Sequence, residues 1–447
     1  MQFNKNQNIA IVGAGLVGSL LSIYLAKRGF KVSVFERRPD MRKQVVDGGR
    51  SINLALSNRG IRALEEVGLA DELKKFAIPM HGRMMHDRRN NLSFLPYGKE
   101  GQFINSISRS DLNIVLMNKA ESLGVNFYFE QKITSVDFEK TALTIQHPES
   151  NIQNPTFDSI IGADGAFSAI RNAMQTTERF NYSQEFIEHG YKELHIPADA
   201  NGNFQFEKNA LHIWPRESFM LIALPNPDGS FTGTLFFPFE GNLSFASLKN
   251  KDVVERFLSE TFPDAFALMK NPVEDFMNSS ASSLVSIKCF PWAKNKTLLI
   301  GDAAHAIVPF YGQGMNTGFE DCRILNQLLD QTSDWQELFN QFQKLRKPNT
   351  DAIAKLSLDN FIEMRDLVAD NMFLLRKRIE AKLHQLFPEQ WIPLYTMVTF
   401  KENMNYADAY AIGQKQNKIM DEVMQKNNIE TTWEQLDFEN IVSKLKL

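Results

Sequence analysis

Residues 8–36 admit one local arrangement. Asn8-Ile-Ala-Ile-Val12 is an uncharged β-rich run, Gly13-Ala-Gly-Leu-Val-Gly18 follows at once, Ser19 to Arg28 carries apolar residues at helical spacing, and Lys31-Val-Ser-Val-Phe35 ends in Glu36. A buried strand, a glycine turn, a helix and a second strand make a βαβ unit of a parallel sheet. The glycines have separate tasks in it. Gly13 permits the tight turn, Gly15 lets the main chain approach a pyrophosphate, and Gly18 lets helix and strand pack closely. The helix N-terminus offers unpaired N–H groups to phosphate, and Glu36 stands where a carboxylate would accept a bond from a ribose hydroxyl. A glycine triplet alone is weak evidence. With a strand before it, a helix after it and an acid at the end of the second strand, it reads as a dinucleotide cradle. FAD and NAD share that cradle, so the motif does not choose between them. The same glycines divide the uncharged stretch Ile9 to Ala26, which could otherwise pass for a membrane span or a signal peptide.

At 447 residues the chain exceeds what one hydrophobic core usually serves, so two domains are expected. The 35 phenylalanines, against five tryptophans and nine tyrosines, point to interiors packed with aromatic surface. A net charge of -4 gives no broad attraction for nucleic acid or anionic membranes, and neither is expected as a partner. Cys289 and Cys322 form no disulfide framework and no zinc spacing, and His305 and the other histidines have no ligand spacing, so no metal is expected. From Lys415 onward Lys, Glu, Asp and Asn are mixed throughout, which reads as no membrane anchor. A soluble protein of the reducing cytoplasm is the expectation.

Two more segments repeat a strand running into an acid beside glycine: Phe157-Asp-Ser-Ile-Ile-Gly162-Ala163-Asp164-Gly165 and Lys296-Thr-Leu-Leu-Ile-Gly301-Asp302. They point to one extended ligand touched several times. Through GAGLVG, the turn at Asp164-Gly165 and the turn at Gly301-Asp302, in that order, the chain resembles the single-component FAD-dependent aromatic hydroxylases. That resemblance implies the α/β class: a Rossmann-like FAD-binding domain (1–75, 101–175 and 289–334) interleaved with a β-sheet substrate domain (76–100 and 176–288), followed by a C-terminal helical region (335–447). In such a fold FAD lies extended over the first domain, with Asp302 on its ribityl chain and Pro309 to Asn316 along its ring. Gly312 and Gly314 would leave space for the isoalloxazine. A helix of roughly Met315 to Asp330 would aim its N–H groups at the pyrimidine edge, where reduction puts negative charge. The family pattern also places Val17, Arg37, Arg38, Ala55, Asp164, Gly301, Met315 and Asn316 on the cofactor. Arg109, in Ile107-Ser-Arg109-Ser-Asp-Leu112, stands where the family has an arginine on FAD, although Ser110-Asp111 beside it also reads as a helix cap.

Three stretches resemble the branch of that family that acts on L-kynurenine: His81-Gly-Arg83-Met-Met-His86, His305-Ala-Ile-Val-Pro309-Phe310-Tyr311-Gly-Gln313-Gly-Met-Asn316, and Leu358-Asp-Asn360-Phe-Ile-Glu-Met364-Arg-Asp366. Its substrate is an amino acid carried on an aromatic ketone. Arg83 suits the carboxylate, because a planar guanidinium forms two parallel charge-assisted bonds, and Tyr97 adds a phenolic donor. The resemblance places Asn360, Tyr395, Phe310 and Gln313 at the substrate as well. On residue type alone, Arg83 beside Arg88 and Arg89 reads as a solvated surface charge. Tyr311 stands where family members also carry histidine or phenylalanine, so no obligatory proton transfer is assigned to it.

The chemistry implied is reduction of FAD by NADPH, capture of O2 as a flavin hydroperoxide, and transfer of one oxygen to the ring carbon beside the aniline nitrogen. The cofactor carries the electrophile, so no catalytic side chain is named. NADPH is expected as a transient co-substrate, since no second glycine-rich βαβ unit appears. Two alternatives stay open on the sequence: a hydroxylase of another aromatic substrate, and a non-hydroxylating, redox-sensing flavoprotein. Leu211-His-Ile-Trp, Phe219-Met-Leu-Ile-Ala-Leu and Phe231-Thr-Gly-Thr-Leu-Phe-Phe predict antiparallel strands, with a turn at Pro227-Asp-Gly229. From Trp335 the pattern is helical, interrupted near Pro388 and Pro393.

Overall fold

The computed structural model describes residues 3–43, 53–146, 154–363 and 370–446. Met364, Arg365 and Asp366 of the third stretch therefore lie outside the described residues.

Asn8–Val12 is the centre of a six-stranded sheet in the order Ala293–Lys294, Thr297–Leu299, Ser159–Gly162, Asn8–Val12, Lys31–Phe35, Asn126–Tyr128. All neighbours pair in parallel except the first two strands. Ile9, Ala10, Ile11, Ile160, Ile161, Leu298 and Leu299 are fully buried, as a parallel sheet covered on both faces demands. The strand ends at Val12, Gly162 and Leu299 lie side by side, so the three glycine-bearing turns that follow them emerge along one sheet edge. The helix Leu16–Lys27 packs closely there: a Cβ on Gly18 would run into the carbonyl oxygen of Gly13.

A seven-stranded sheet stands over that edge, in the order Ser282–Phe290, Asn181–Ile196, Phe231–Pro238, Phe219–Pro225, Ala210–Arg216, Gly82–His86, Leu92–Pro96. The three segments read as antiparallel strands are adjacent in it, and Gly229 takes a positive φ of 86° in the turn between two of them. Gly82–His86 joins from far upstream, parallel to Ala210–Arg216 with Arg83 opposite Leu211. The outer face of this sheet packs on short helices through Trp214, Phe231, Phe237, Phe257, Phe262 and Phe276, which is where many of the phenylalanines go.

A long helix, Trp335–Ile362, starts the helical remainder; Asn371–Leu386 stops before Pro388, Leu394–Phe400 begins directly after Pro393, and Tyr406–Met424 follows. Among the described residues no helix is long and apolar enough to cross a membrane, and no cluster of three His, Cys, Asp or Glu side chains could hold a metal ion.

Candidate active site

The cofactor cradle can be tested on its own atoms. A Cβ added at Gly15 or Gly165 would meet nothing within 4 Å, so both turns face open space on the side where a pyrophosphate and ribityl chain would run. Asp164 puts Oδ2 on the backbone N–H of Ala169 at 2.7 Å and leaves Oδ1 buried without a partner. Burial pushes its carboxyl up, against the pull of Ser168 and the capped amides. An orphaned carboxylate oxygen between glycines fits a ligand hydroxyl. Asp302, first residue of its short helix after Gly301, is exposed and has no side-chain hydrogen bond among the described residues. These features fit FAD.

The other cofactor candidates divide. Glu36 accepts from the N–H of Ala14 at 3.0 Å and from Arg38 Nε at 2.9 Å; burial opposes its charge, but the bonds from Arg38 and Ala14 hold its carboxyl below the usual range. Arg37 is exposed. Val17 is wedged between the Gly301 turn and the helix Gly314–Leu328, 3.1 Å from a Cβ placed on Gly301 and 2.6 Å from one on Gly318. Arg109 is exposed at the first turn of Arg109–Ser122, near Tyr191 of the upper sheet, whose phenol burial pushes up in spite of the nearby guanidinium; the cap of that helix is Ser108, whose hydroxyl accepts from Asp111 N, rather than Ser110.

The ring loop is stapled from within. Pro309–Tyr311 forms one 3-10 turn, Gly312 follows at φ 67°, and the helix Gly314–Leu328 begins. Asn316 donates to the carbonyls of Ala55 and Gly312, each at 2.8 Å, and accepts from Ser57 N at 2.9 Å. Its side chain is thus committed to the chain itself, leaving backbone N–H groups at Gly314, Met315 and Asn316 as the means of meeting an anionic edge. Gln313 is buried and accepts from Tyr406 Oη at 2.9 Å.

Between this loop and the upper sheet lies an apolar cluster. Phe310 packs on Phe236 at 5.0 Å and Phe361 at 4.4 Å between ring centres, and Asn360 fixes it by donating to its carbonyl at 2.7 Å. At the far end the guanidinium of Arg83 sits 4.6 Å from the ring centre of Tyr395 and 5.4 Å from that of Tyr97. Tyr395 stacks between Tyr97, at 5.6 Å, and Tyr311, at 5.4 Å. Burial works against the charge of Arg83, and the phenol oxygens of Tyr395 and Tyr97 outweigh it, so the group stays charged. Burial and then Tyr395 push the phenols of Tyr97 and Tyr311 up, so both stay neutral. Among the described residues no carboxylate pairs with Arg83, and the buried Tyr97 Oη has no partner. Among the described residues a cation without a carboxylate partner and an idle O–H donor converge here, and an external anion completes the set.

A family model described as an FAD binding domain matches residues 6–355. A kynurenine 3-monooxygenase of Flavobacterium psychrophilum is 51% identical over 99% of this chain and 99% of its own length. The chain belongs to the kynurenine 3-monooxygenase family. Kynurenine 3-monooxygenases of Myxococcus xanthus, 50% identical over 94% of this chain and 91% of theirs, and of Dictyostelium discoideum, 44% identical over 96% and 95%, are further relatives. In fold the chain is similar to a 2-methyl-3-hydroxypyridine-5-carboxylic acid oxygenase, with a TM-score of 0.68 at 20% identity over 82% of this chain and 94% of that one.

Against that family background, two arrangements had escaped the reading of the sequence. Arg171 is 1% exposed and ties two cofactor turns together, donating to Ala303 O at 2.9 Å and Ala166 O at 2.5 Å. Its signal was the spacing Asp164-Gly165-x-x-Ser168-x-x-Arg171. Behind the ring loop, Arg346 reaches Glu320 and Asp321 at 2.6 Å each, Glu320 also meets Arg59 at 2.6 Å, and Asp321 meets His305 Nε2 at 2.5 Å. The adjacent acids on one helix, with an arginine on the next, were its only trace in the sequence.

Proposed function

We propose that this protein is an FAD-dependent monooxygenase that converts L-kynurenine, NADPH, O2 and a proton into 3-hydroxykynurenine, NADP+ and water. The single observation that carries the reading is Arg83, a charged guanidinium with no carboxylate partner among the described residues, set among phenols. It does so in a chain half identical to kynurenine 3-monooxygenases along nearly its whole length. When bound, FAD takes electrons from NADPH and activates O2 for delivery of one oxygen atom to the substrate ring.

The side chains bind, orient and exclude water. Arg83 takes the substrate carboxylate bidentately and Tyr97 donates its O–H to the same anion. Tyr395 holds the guanidinium against its ring face. Phe310, kept in place by Asn360, borders the ring pocket, and Gln313 braces the loop beneath it through Tyr406. With Phe236 and Phe361 these residues keep the reacting centre dry. The aniline nitrogen supplies electron density to the ring, so no side-chain base is required. In the FAD-binding part, Gly13, Gly15, Gly18 and Val17 form the pyrophosphate turn, and Glu36, Arg37 and Arg38 meet the adenosine end. Asp164, Gly301 and Asp302 meet the ribityl region, Ala55 and Arg109 flank the ring, and Gly314, Met315 and Asn316 face its pyrimidine edge through their N–H groups. The division into an FAD-binding part, a substrate sheet and a C-terminal helical region follows the segment boundaries given above. The two buried thiols, Cys289 and Cys322, support a reducing cytoplasm as the place of action.

The test supplies FAD-loaded protein with NADPH, O2 and L-kynurenine and follows the product by mass. A gain of one oxygen atom is expected; its absence overturns the reading. Faster turnover with NADH than with NADPH would overturn the coenzyme assignment alone.

A further inference from the structure

The helix Leu394–Phe400 carries Tyr395 in its first turn, yet the bonds that fix its far end come from elsewhere in the fold. Arg59, in the helix Asn58–Glu66 and 3% exposed, donates Nε to Val398 O at 3.1 Å and one terminal nitrogen to the carbonyls of Lys401, at 3.3 Å, and Met404. Those carbonyls belong to the end of a short helix and the turn after it, where main-chain acceptors lack intrahelical partners and partial negative charge accumulates. The other terminal nitrogen pairs with Glu320 on the helix that begins at the ring loop. The plane of the guanidinium lies over the ring of Tyr406 at 4.1 Å, and Tyr406 in turn holds Gln313. One side chain therefore joins the Tyr395 helix, the ring-loop helix and the helix Tyr406–Met424. Apolar contacts of Met397 and Val398 also hold the Tyr395 helix; the bonds from Arg59 add directional ones at its C-terminal end.

We propose that Arg59 is a positioning residue for substrate binding: by clamping the end of Leu394–Phe400 onto Glu320, it sets the ring of Tyr395 against Arg83. This rests on the reading that Arg83 and Tyr395 bind the substrate.

The test measures the dissociation constant of L-kynurenine by calorimetry on the full-length, FAD-loaded protein without NADPH, alongside FAD content and thermal midpoint. Arg59→Lys keeps a cation for Glu320 but cannot hold three carbonyls with a planar fork, so it is expected to keep its FAD and weaken kynurenine binding about tenfold. Arg59→Met is expected to weaken it at least as much. Kynurenine bound as tightly by Arg59→Lys as by the wild type overturns the proposal. Arg83→Met is run beside them: if it binds as tightly as the wild type, the substrate reading itself fails, independently of Arg59. Should neither Arg59 variant fold, hydrogen exchange on the wild type decides. The clamp requires the amides of Leu394–Phe400 to open together with those of Gly314–Leu328, and independent, faster opening of the former overturns it.

Discussion

Arg346 and Arg83 are both guanidiniums drawn away from bulk water, and they are treated in opposite ways. Arg346 faces Glu320 and Asp321 at 2.6 Å each; burial opposes its charge and the two carboxylates outweigh it. They are held below the usual carboxylate range in return, against their own burial, Glu320 by Arg346 and Arg59, and Asp321 by His305 and Arg346. Arg83 has three tyrosines around it and no carboxylate among the described residues. A cation whose counter-ions are built in is part of the frame, whereas one whose counter-ion must arrive from solution is part of a binding site.

The largest effect should come from opening the frame. Arg346→Met leaves Asp321 and Glu320 short of positive charge in the interior and is expected to lower unfolding stability by about 3–5 kcal/mol, read from urea denaturation. Little or no loss would erase the distinction. Arg83→Met should do the reverse: unfolding stability unchanged or raised, while kcat/KM for L-kynurenine falls near a thousandfold, about 4 kcal/mol, in steady-state assays.

His212 sharpens the contrast with a group kept neutral. Its Nε2 faces the carbonyl of Glu207 at 2.8 Å and its Nδ1 faces His86 at 2.9 Å, and burial pushes the imidazole down from 6.5 to about 4. Between those two values the unfolded chain binds a proton that the folded chain refuses. This contribution is therefore fully present above the unfolded value and is lost as the pH falls toward 4. The wild type should lose about 2 kcal/mol more than His212→Gln between pH 7 and pH 5, measured by urea denaturation at each pH. Asp264 and Glu207 favour the charged form of His212 and His86 opposes it, so an equal loss in both proteins would assign the acid sensitivity elsewhere.

Tyr97→Phe gives the smallest effect. Removing a buried hydroxyl that has no partner should leave the thermal midpoint unchanged or slightly raised, while KM for L-kynurenine rises about fivefold, near 1 kcal/mol. An unchanged KM would remove Tyr97 from the anion site.

The same contrast marks where sequence reasoning reached. The βαβ unit and the two later turns were legible because strand period, glycine position and acid position are local properties. The antiparallel strands and the helix breaks at Pro388 and Pro393 were legible for the same reason. The setting of Arg83 was not. Its neighbours Arg88 and Arg89 are exposed, and its aromatic surroundings depend on Tyr395 and Tyr311, far along the chain. Nor does residue type reveal that the side chain of Asn316 is used up by Ala55, Gly312 and Ser57, or that Gln313 turns to Tyr406. Family resemblance named those positions; only tertiary packing says which atoms remain available.

The parallel pairing of Gly82–His86 with Ala210–Arg216 also bears on how the molecule is made. A nascent chain leaves the ribosome with Arg83 long before its neighbouring strand has been translated, and longer still before Tyr395 exists. The N-terminal βαβ unit rests on local contacts and can form early, while the anion pocket must wait for some of the most distant encounters in the polypeptide. Ability to hold the substrate is therefore acquired late in synthesis, after the nucleotide cradle is in place.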